Sequence, residues 1–145
     1  MKAIQFLSAG GPDVIHLTER PRPVPQNGEV LIRVVAAGMN RADILQRMGQ
    51  HPPPQGVTDI PGLEVSGYID SVGPEVESSL IGQPVCSLLA GGGYAEYVTA
   101  PAALCFGISG RREIEDTAAL PEALYTVTKN VFVLGGLKSG EHLLI

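Results

Sequence analysis

The chain has 145 residues, 44% of them hydrophobic, with 10 Lys plus Arg against 15 Asp plus Glu and a formal net charge of −5. That is enough apolar material for a domain with its own core, and the acidic balance speaks against binding nucleic acid or an anionic membrane through bulk charge. No apolar run reaches the ~18 residues of a spanning helix, and the opening MKAIQFLSAGG is too briefly apolar for a signal peptide, so the chain reads as cytoplasmic.

Eighteen glycines and 12 prolines punctuate short apolar runs, the rhythm of a β-rich fold with many turns. Residues 2–7 (KAIQFL) read as a strand, 8–13 as a turn and 14–19 (VIHLTE) as the second arm of a hairpin. RPRPVPQNG (20–28) is a Pro-rich extended loop, because each proline disfavours helix in the residue before it. EVLIRVVAAGM (29–39), rich in β-branched residues, is the longest strand. A short helix follows at about 41–48, with Asn40 suited to its N-cap, Asp43 in its first turn and Gly49 at its C-cap. HPPPQGVTDIPG (51–62) is an irregular loop, strands are expected at about 63–72, 84–90 and 94–99, and GGG (91–93) is the hinge between the last two.

The period then changes. Residues 116–136 carry Pro121 as a helix-start signal and Gly135-Gly136 as a stop, with Leu124, Val127, Val131 and Leu134 on one apolar face. LKSG is a turn, and EHLLI (141–145) reads as a strand. A lone strand at that point normally begins a βαβ unit, so the chain reads as the front part of a longer architecture. The expected class is mainly β with helices (α+β), divided into residues 1–115 and a connecting segment at 116–145.

Cys86 and Cys105 fit a reducing compartment without disulfides and read as core or half-buried filler; neither they nor His16, His51 and His142 have metal-motif spacing. In PGLEVSGYIDSVG (61–73), Gly62, Gly67 and Gly73 read as backbone devices, with Gly67 also placed to let another chain segment pass close. Glu64, beside apolar Leu63 and Val65, has to face solvent, a cleft or a basic partner. A salt bridge to an arginine and a place near a site are both open. Arg41 is within reach of Asp43 or Glu64 in this scheme.

Gly62 to Gly73, as G-x-E-x-x-G-x-x-x-x-V-G, resembles the signature of the medium-chain dehydrogenase/reductase superfamily. Zinc-bearing members of that family carry G-H-E-x-x-G here and a cysteine at the preceding strand–helix junction. This chain has Leu63 and Asn40 in those slots and no lobe of four close cysteines, and neither leucine nor an amide suits zinc. GGPD, GEVLIRVVAAGMNRADILQRMGQ, PGLEVSGYIDSVG, GGGYAEYV and AALPEALYTV, in that order, resemble the zinc-free quinone oxidoreductase branch, most of all its tumour-suppressor-inducible type.

The resemblance implies a GroES-like, partly closed β-barrel, the substrate-side domain, followed by the first helix and strand of a dinucleotide-binding domain. It implies NADPH-dependent, zinc-independent reduction of a quinone or enone by hydride transfer. It places Asn40 and Asp43 at the nicotinamide side of a cleft, Glu64 behind it, and Thr126 near the carboxamide. His51 stands where the nearest relatives carry a tyrosine facing the nicotinamide; a histidine there is placed to hydrogen-bond the cofactor ribose or supply a proton, with a solvent-facing loop residue as the other reading. Tyr94 and Tyr97 read as packing residues. The sequence has no G-x-G-x-x-G, and GGLKSG (135–140) reads as a helix cap plus turn, so the pyrophosphate-binding half of a cofactor cleft is missing from these residues and the chain alone is expected to be inactive. Two other readings stand beside this one. One is a truncated, non-catalytic barrel that serves as an interaction module and self-associates through the 143–145 edge. The other is a GroES-like co-chaperonin, which explains a barrel but not the ordered reductase motifs.

Overall fold

In the computed structural model, which describes residues 1–110 and 113–144, the β-branched run after the Pro-rich loop forms the central strand of the molecule. The hairpin is β1 (Lys2–Phe6) and β2 (Ile15–Glu19), antiparallel from Lys2↔Glu19 to Phe6↔Ile15. The remaining strands are β3 (Glu29–Ala37), β4 (Glu64–Val72), β5 (Pro84–Leu88), β6 (Tyr97–Pro101) and β7 (Cys105–Gly107). They form one antiparallel sheet in the order β6-β3-β4-β5-β7.

That order fixes the shape. β6 and β7 lie on opposite edges of the sheet, yet only a short 3-10 turn, Ala102–Leu104, separates them in the chain. The sheet therefore has to coil until its edges approach. The edges do not pair, so the barrel stays partly closed, as a GroES-like α+β fold. The hairpin joins it through the Ala3↔Ala95 bridge and the Ile4 N–H to Tyr94 carbonyl bond of 2.8 Å. Val30, Ile32, Val65, Ile69, Val85 and Val98 fill the interior.

The glycines of β4 are explained by crowding. A Cβ on Gly67 would lie 2.2 Å from the Arg33 carbonyl oxygen on β3, next to a break in the β3–β4 register between Val34 and Ala36. Gly62 has φ +101° and abuts the Tyr94 backbone nitrogen, which a Cβ would approach to 2.7 Å. Neither position accepts a side chain without movement of main chain.

Four expectations differ from the structure. The strand expected at 94–99 runs from Tyr97 to Pro101, leaving Tyr94 in the approach loop. Strand β7 had no counterpart in the sequence reading. The segment 116–136 starts its helix at Pro121 and ends it before Gly135, as expected, but the helix changes type midway. The segment is a 3-10 turn (Glu115–Ala119), α2 (Pro121–Val127) and a π-helical stretch (Thr128–Leu134). Asn130 Nδ2 donates to the Thr126 carbonyl at 2.8 Å, and such side-chain competition for a carbonyl disturbs regular helix spacing. Finally, residues 141–144 form no strand, since no neighbouring strand offers them a ladder; Ile145 lies outside the described residues.

Candidate functional site

The site is built where β3 runs out. Gly38 and Met39 carry the chain from β3 to Asn40, whose extended backbone (φ −123°, ψ 157°) precedes helix α1 (Arg41–Arg47). The Asn40 N–H donates to Asp43 Oδ2 at 2.7 Å, and the Asp43 N–H donates to the Asn40 carbonyl at 3.1 Å. The first turn thus closes on its own acidic residue.

Asp43 is 6% exposed, and a buried carboxylate is costly unless donors surround it. Two more donors reach it from distant parts of the chain. The Gly62 N–H donates to Oδ1 at 3.2 Å, and the Tyr94 hydroxyl donates to Oδ2 at 2.8 Å. Burial, and then the Asp43 carboxylate, holds the Tyr94 phenol above its ordinary range, so Tyr94 stays protonated and serves as a donor.

Glu64 is the second interior carboxylate, 2% exposed. Its Oε1 accepts from Asn40 Nδ2 at 2.9 Å, and its Oε2 accepts from the main-chain N–H of Glu122, in the first turn of α2, at 2.9 Å. Gly38 makes room for it, since a Cβ there would fall 2.2 Å from Oε1. Among the described residues neither Glu64 nor Asp43 has an arginine partner, Arg41 included, so the salt-bridge reading of Glu64 is replaced by one with amide donors. Thr126 is exposed, and its Oγ1 donates to Glu122 Oε1 at 3.2 Å rather than to its own backbone.

Three of the expected residues, Asn40, Glu64 and Thr126, are therefore linked in a run from Asn40 through Glu64 and Glu122 to Thr126. Asp43 joins through Asn40. His51 is not part of this run. It is exposed, in the loop between α1 and β4, and has no hydrogen bond among the described residues. The far end of its loop is anchored: Asp59 accepts from Arg20 at 2.7 and 3.1 Å and from Gln5 Nε2 at 2.8 Å, and Arg20 holds the Asp59 carboxyl below its usual range.

Beside Asn40 and Asp43 opens a largely apolar cleft of about 600 Å³, walled by Phe6, Ile15, Met39, Ile44 and Tyr94. A second cavity of about 590 Å³ lies between β5, β7 and α2; it is lined by Cys86, Phe106, Leu124 and Tyr125 and touches none of the expected site residues. Burial raises the Cys86 thiol above its ordinary value. Tyr94 and Glu122 were missed as site residues. The one local sign for Tyr94 is its place directly after three glycines, where main chain can turn a ring inward; for Glu122, whose contribution is a main-chain N–H, side-chain patterns carry no sign.

The profile of the "Alcohol dehydrogenase GroES-like domain" family matches residues 26–110, and the chain belongs to that family. Over 147 residues it is 32% identical to mouse "Quinone oxidoreductase", covering 100% of this chain and 44% of that protein. Over 145 residues it is 30% identical to mouse "Synaptic vesicle membrane protein VAT-1 homolog-like", covering 100% of this chain and 35% of that one. A mycobacterial protein solved in complex with NADPH superposes with a TM-score of 0.82 at 34% identity, over 97% of this chain and 44% of that chain. The resemblance to the N-terminal part of quinone oxidoreductases in the medium-chain dehydrogenase/reductase superfamily is thus borne out. The chain spans less than half the length of these curated relatives.

Proposed function

We propose that this chain is the substrate-side domain of a zinc-independent, NAD(P)H-dependent quinone oxidoreductase, with the division at residues 115/116 separating it from the start of a dinucleotide-binding domain. The names of its relatives and the NADPH complex of a structural neighbour support a nicotinamide cofactor. The observation that carries the reading is the junction at Asn40: a side-chain amide held by a buried carboxylate, next to an apolar cleft wide enough for a flat ring.

These residues fit the nicotinamide end of the cofactor. A carboxamide-bearing ring needs a planar apolar slot and amide or hydroxyl partners at its edge; Asn40 and the Phe6–Ile44 cleft offer the slot and one partner, and Thr126, which lies outside the cleft lining, takes the carboxamide by the resemblance to the family. When bound, the nicotinamide supplies a hydride. The protein's share is positional. Asn40 orients the ring side, with its amide fixed by Glu64. Asp43 holds the Asn40 turn as a structural acceptor for the Asn40 N–H, the Gly62 N–H and the Tyr94 hydroxyl. Phe6, Ile15 and Met39 exclude water from a planar quinone or enone. His51, on an exposed loop, hydrogen-bonds the cofactor ribose or supplies the proton that the reduced acceptor takes up. The phosphates have no cradle in this sequence, so the isolated chain binds the nicotinamide end weakly and does not turn over. No helix among the described residues is long and apolar enough to cross a membrane, and the net charge of −5 speaks against a nucleic-acid partner held by bulk charge.

The test is nuclear magnetic resonance with reduced nicotinamide mononucleotide. The expected result is saturable shifts at Asn40, Ile44 and Thr126. No shift at millimolar ligand, or shifts confined to the Cys86–Tyr125 cavity, would overturn the reading.

A second reading is a non-catalytic interaction module. It is supported by Leu124, Phe132 and Leu134, which are 53–67% exposed on one segment. Sedimentation of the chain across a concentration series tests it: a strict monomer removes self-association.

A further inference from the structure

We infer that Glu64 is a positioning residue that registers Asn40, on the barrel, against the helix that carries Thr126. Its meaning for hydride transfer rests on the nicotinamide reading above; the latch itself does not.

Both arms of the latch end on an acceptor oxygen of one side chain. Asn40 Nδ2 and the Glu122 N–H both donate, one to each oxygen of the same carboxylate. The two partners are 82 positions apart in number, and Glu64 is the side chain that touches both. A glutamine would replace the charged acceptor by a neutral one and oblige the Asn40 amide to turn over to keep its arm, and an aspartate falls one methylene short. The site is also built to hold this group: Gly38 leaves the space, and Glu64 is buried without a described cation to satisfy it.

Apolar packing on α2 itself is confined to a few contacts, among them Tyr125 on Phe106 with ring centroids 5.6 Å apart. Pro121 is the one buried residue of α2, while Leu124 and Val127 are 58% and 48% exposed. With so little of the helix inside, the pair of charge-assisted hydrogen bonds to Glu64 fixes the register of its first turn. Thr126, one turn on, is tied back to the same turn through Glu122 Oε1. Shifting Glu64 therefore disturbs Asn40 and Thr126 together.

Hydrogen exchange on the chain, read residue by residue, tests the latch without any ligand. Glu64→Gln is expected to speed exchange at the Glu122 amide by about tenfold, with amides of the β3–β4 ladder unchanged. Asn40→Asp, which sets two carboxylates face to face, is expected to do the same. The double variant Asn40→Asp/Glu64→Gln restores a donor opposite each acceptor: the new amide donates to the new carboxylate and its oxygen accepts from Glu122. It is expected to return Glu122 exchange to within about threefold of the starting protein. A residue that serves only bulk stability shows no such rescue. If Glu64→Gln fails to fold, Asn40→Ser removes one arm alone and is expected to raise Glu122 exchange several-fold against an unchanged ladder. Unchanged Glu122 exchange in the single variants, or a double variant no better than the singles combined, overturns the proposal. A starting protein that shows the latch but no response to reduced nicotinamide mononucleotide overturns the nicotinamide reading and leaves the latch standing.

Discussion

The Tyr94 hydroxyl donates to Asp43 Oδ2 at 2.8 Å across 51 positions of sequence, and so ties the glycine-rich approach to β6 onto the first turn of α1. The same oxygen takes the Asn40 N–H, and the other takes the Gly62 N–H. Asp43 is thereby the point where three loops meet. Tyr94→Phe removes one donor and leaves two; the expected cost is about 1–2 kcal/mol in urea unfolding. Asp43→Ala strands all three donors, and about 3 kcal/mol or more is expected from the same measurement. Equal costs for the two would show that Tyr94 alone makes Asp43 matter.

Gly67 and Gly28 separate two reasons for glycine. At Gly67 an added Cβ meets the Arg33 carbonyl oxygen at 2.2 Å, so Gly67→Ala has to move β3 or β4; about 3 kcal/mol is expected, the range for overpacking between fixed main chains. Gly28 has φ +75° with nothing within 4 Å of the added atom, and Gly28→Ala is expected to cost about 1 kcal/mol, from backbone strain alone. Thermal unfolding of the two variants side by side checks the ranking.

Acid should loosen the Arg20–Asp59 pair. Arg20 lowers the Asp59 carboxyl pKa from its model-compound value of 3.8. A group depressed on folding contributes stability above its unfolded pKa and loses it as pH falls through the folded one. The contribution is therefore complete at neutral pH and fades below about pH 4. Because Asp59 is half-exposed, no more than about 1 kcal/mol is expected. In Arg20→Gln the acid limb of the stability profile should flatten; an unaltered limb would show that the pair contributes nothing.

His51→Ala is expected to weaken binding of reduced nicotinamide mononucleotide by roughly two- to tenfold, the worth of one hydrogen bond. Titration of both proteins under the same conditions settles it, and equal affinities return His51 to the role of a solvent-facing loop residue.

How far the sequence could be read depended on the range of the interactions involved. β3 and β4 were legible because β-branched and apolar residues run through both, and α1 because Asn40, Asp43 and Gly49 are local signals acting within one turn. Strand β7, three residues with a glycine at its end, exists only because β5 lies alongside it. The start at Pro121 and the stop at Gly135 were local signals and legible; the change to π spacing over Thr128–Leu134, where Asn130 Nδ2 reaches the Thr126 carbonyl, is one an apolar period does not register. Residues 141–144, part of the strand expected at 141–145, have no ladder partner among the described residues. At the site, the identities of Asn40, Asp43, Glu64 and Thr126 were visible, but not that Glu64 would be held by neutral amides instead of an arginine. Tyr94 was passed over as packing because the need it meets, a third donor for Asp43, arises only once α1 and the Tyr94 loop are side by side.

The described donors to Asp43 and Glu64 are peptide groups, one carboxamide and one phenol, so among the described residues both interior carboxylates are held by neutral partners. Dissolved ions screen attraction between opposite charges far more than they weaken buried dipoles. Raising ionic strength should therefore slacken the rim, where Arg20 meets Asp59 and Arg22 meets Asp70, while the Asn40 junction keeps its shape in brine.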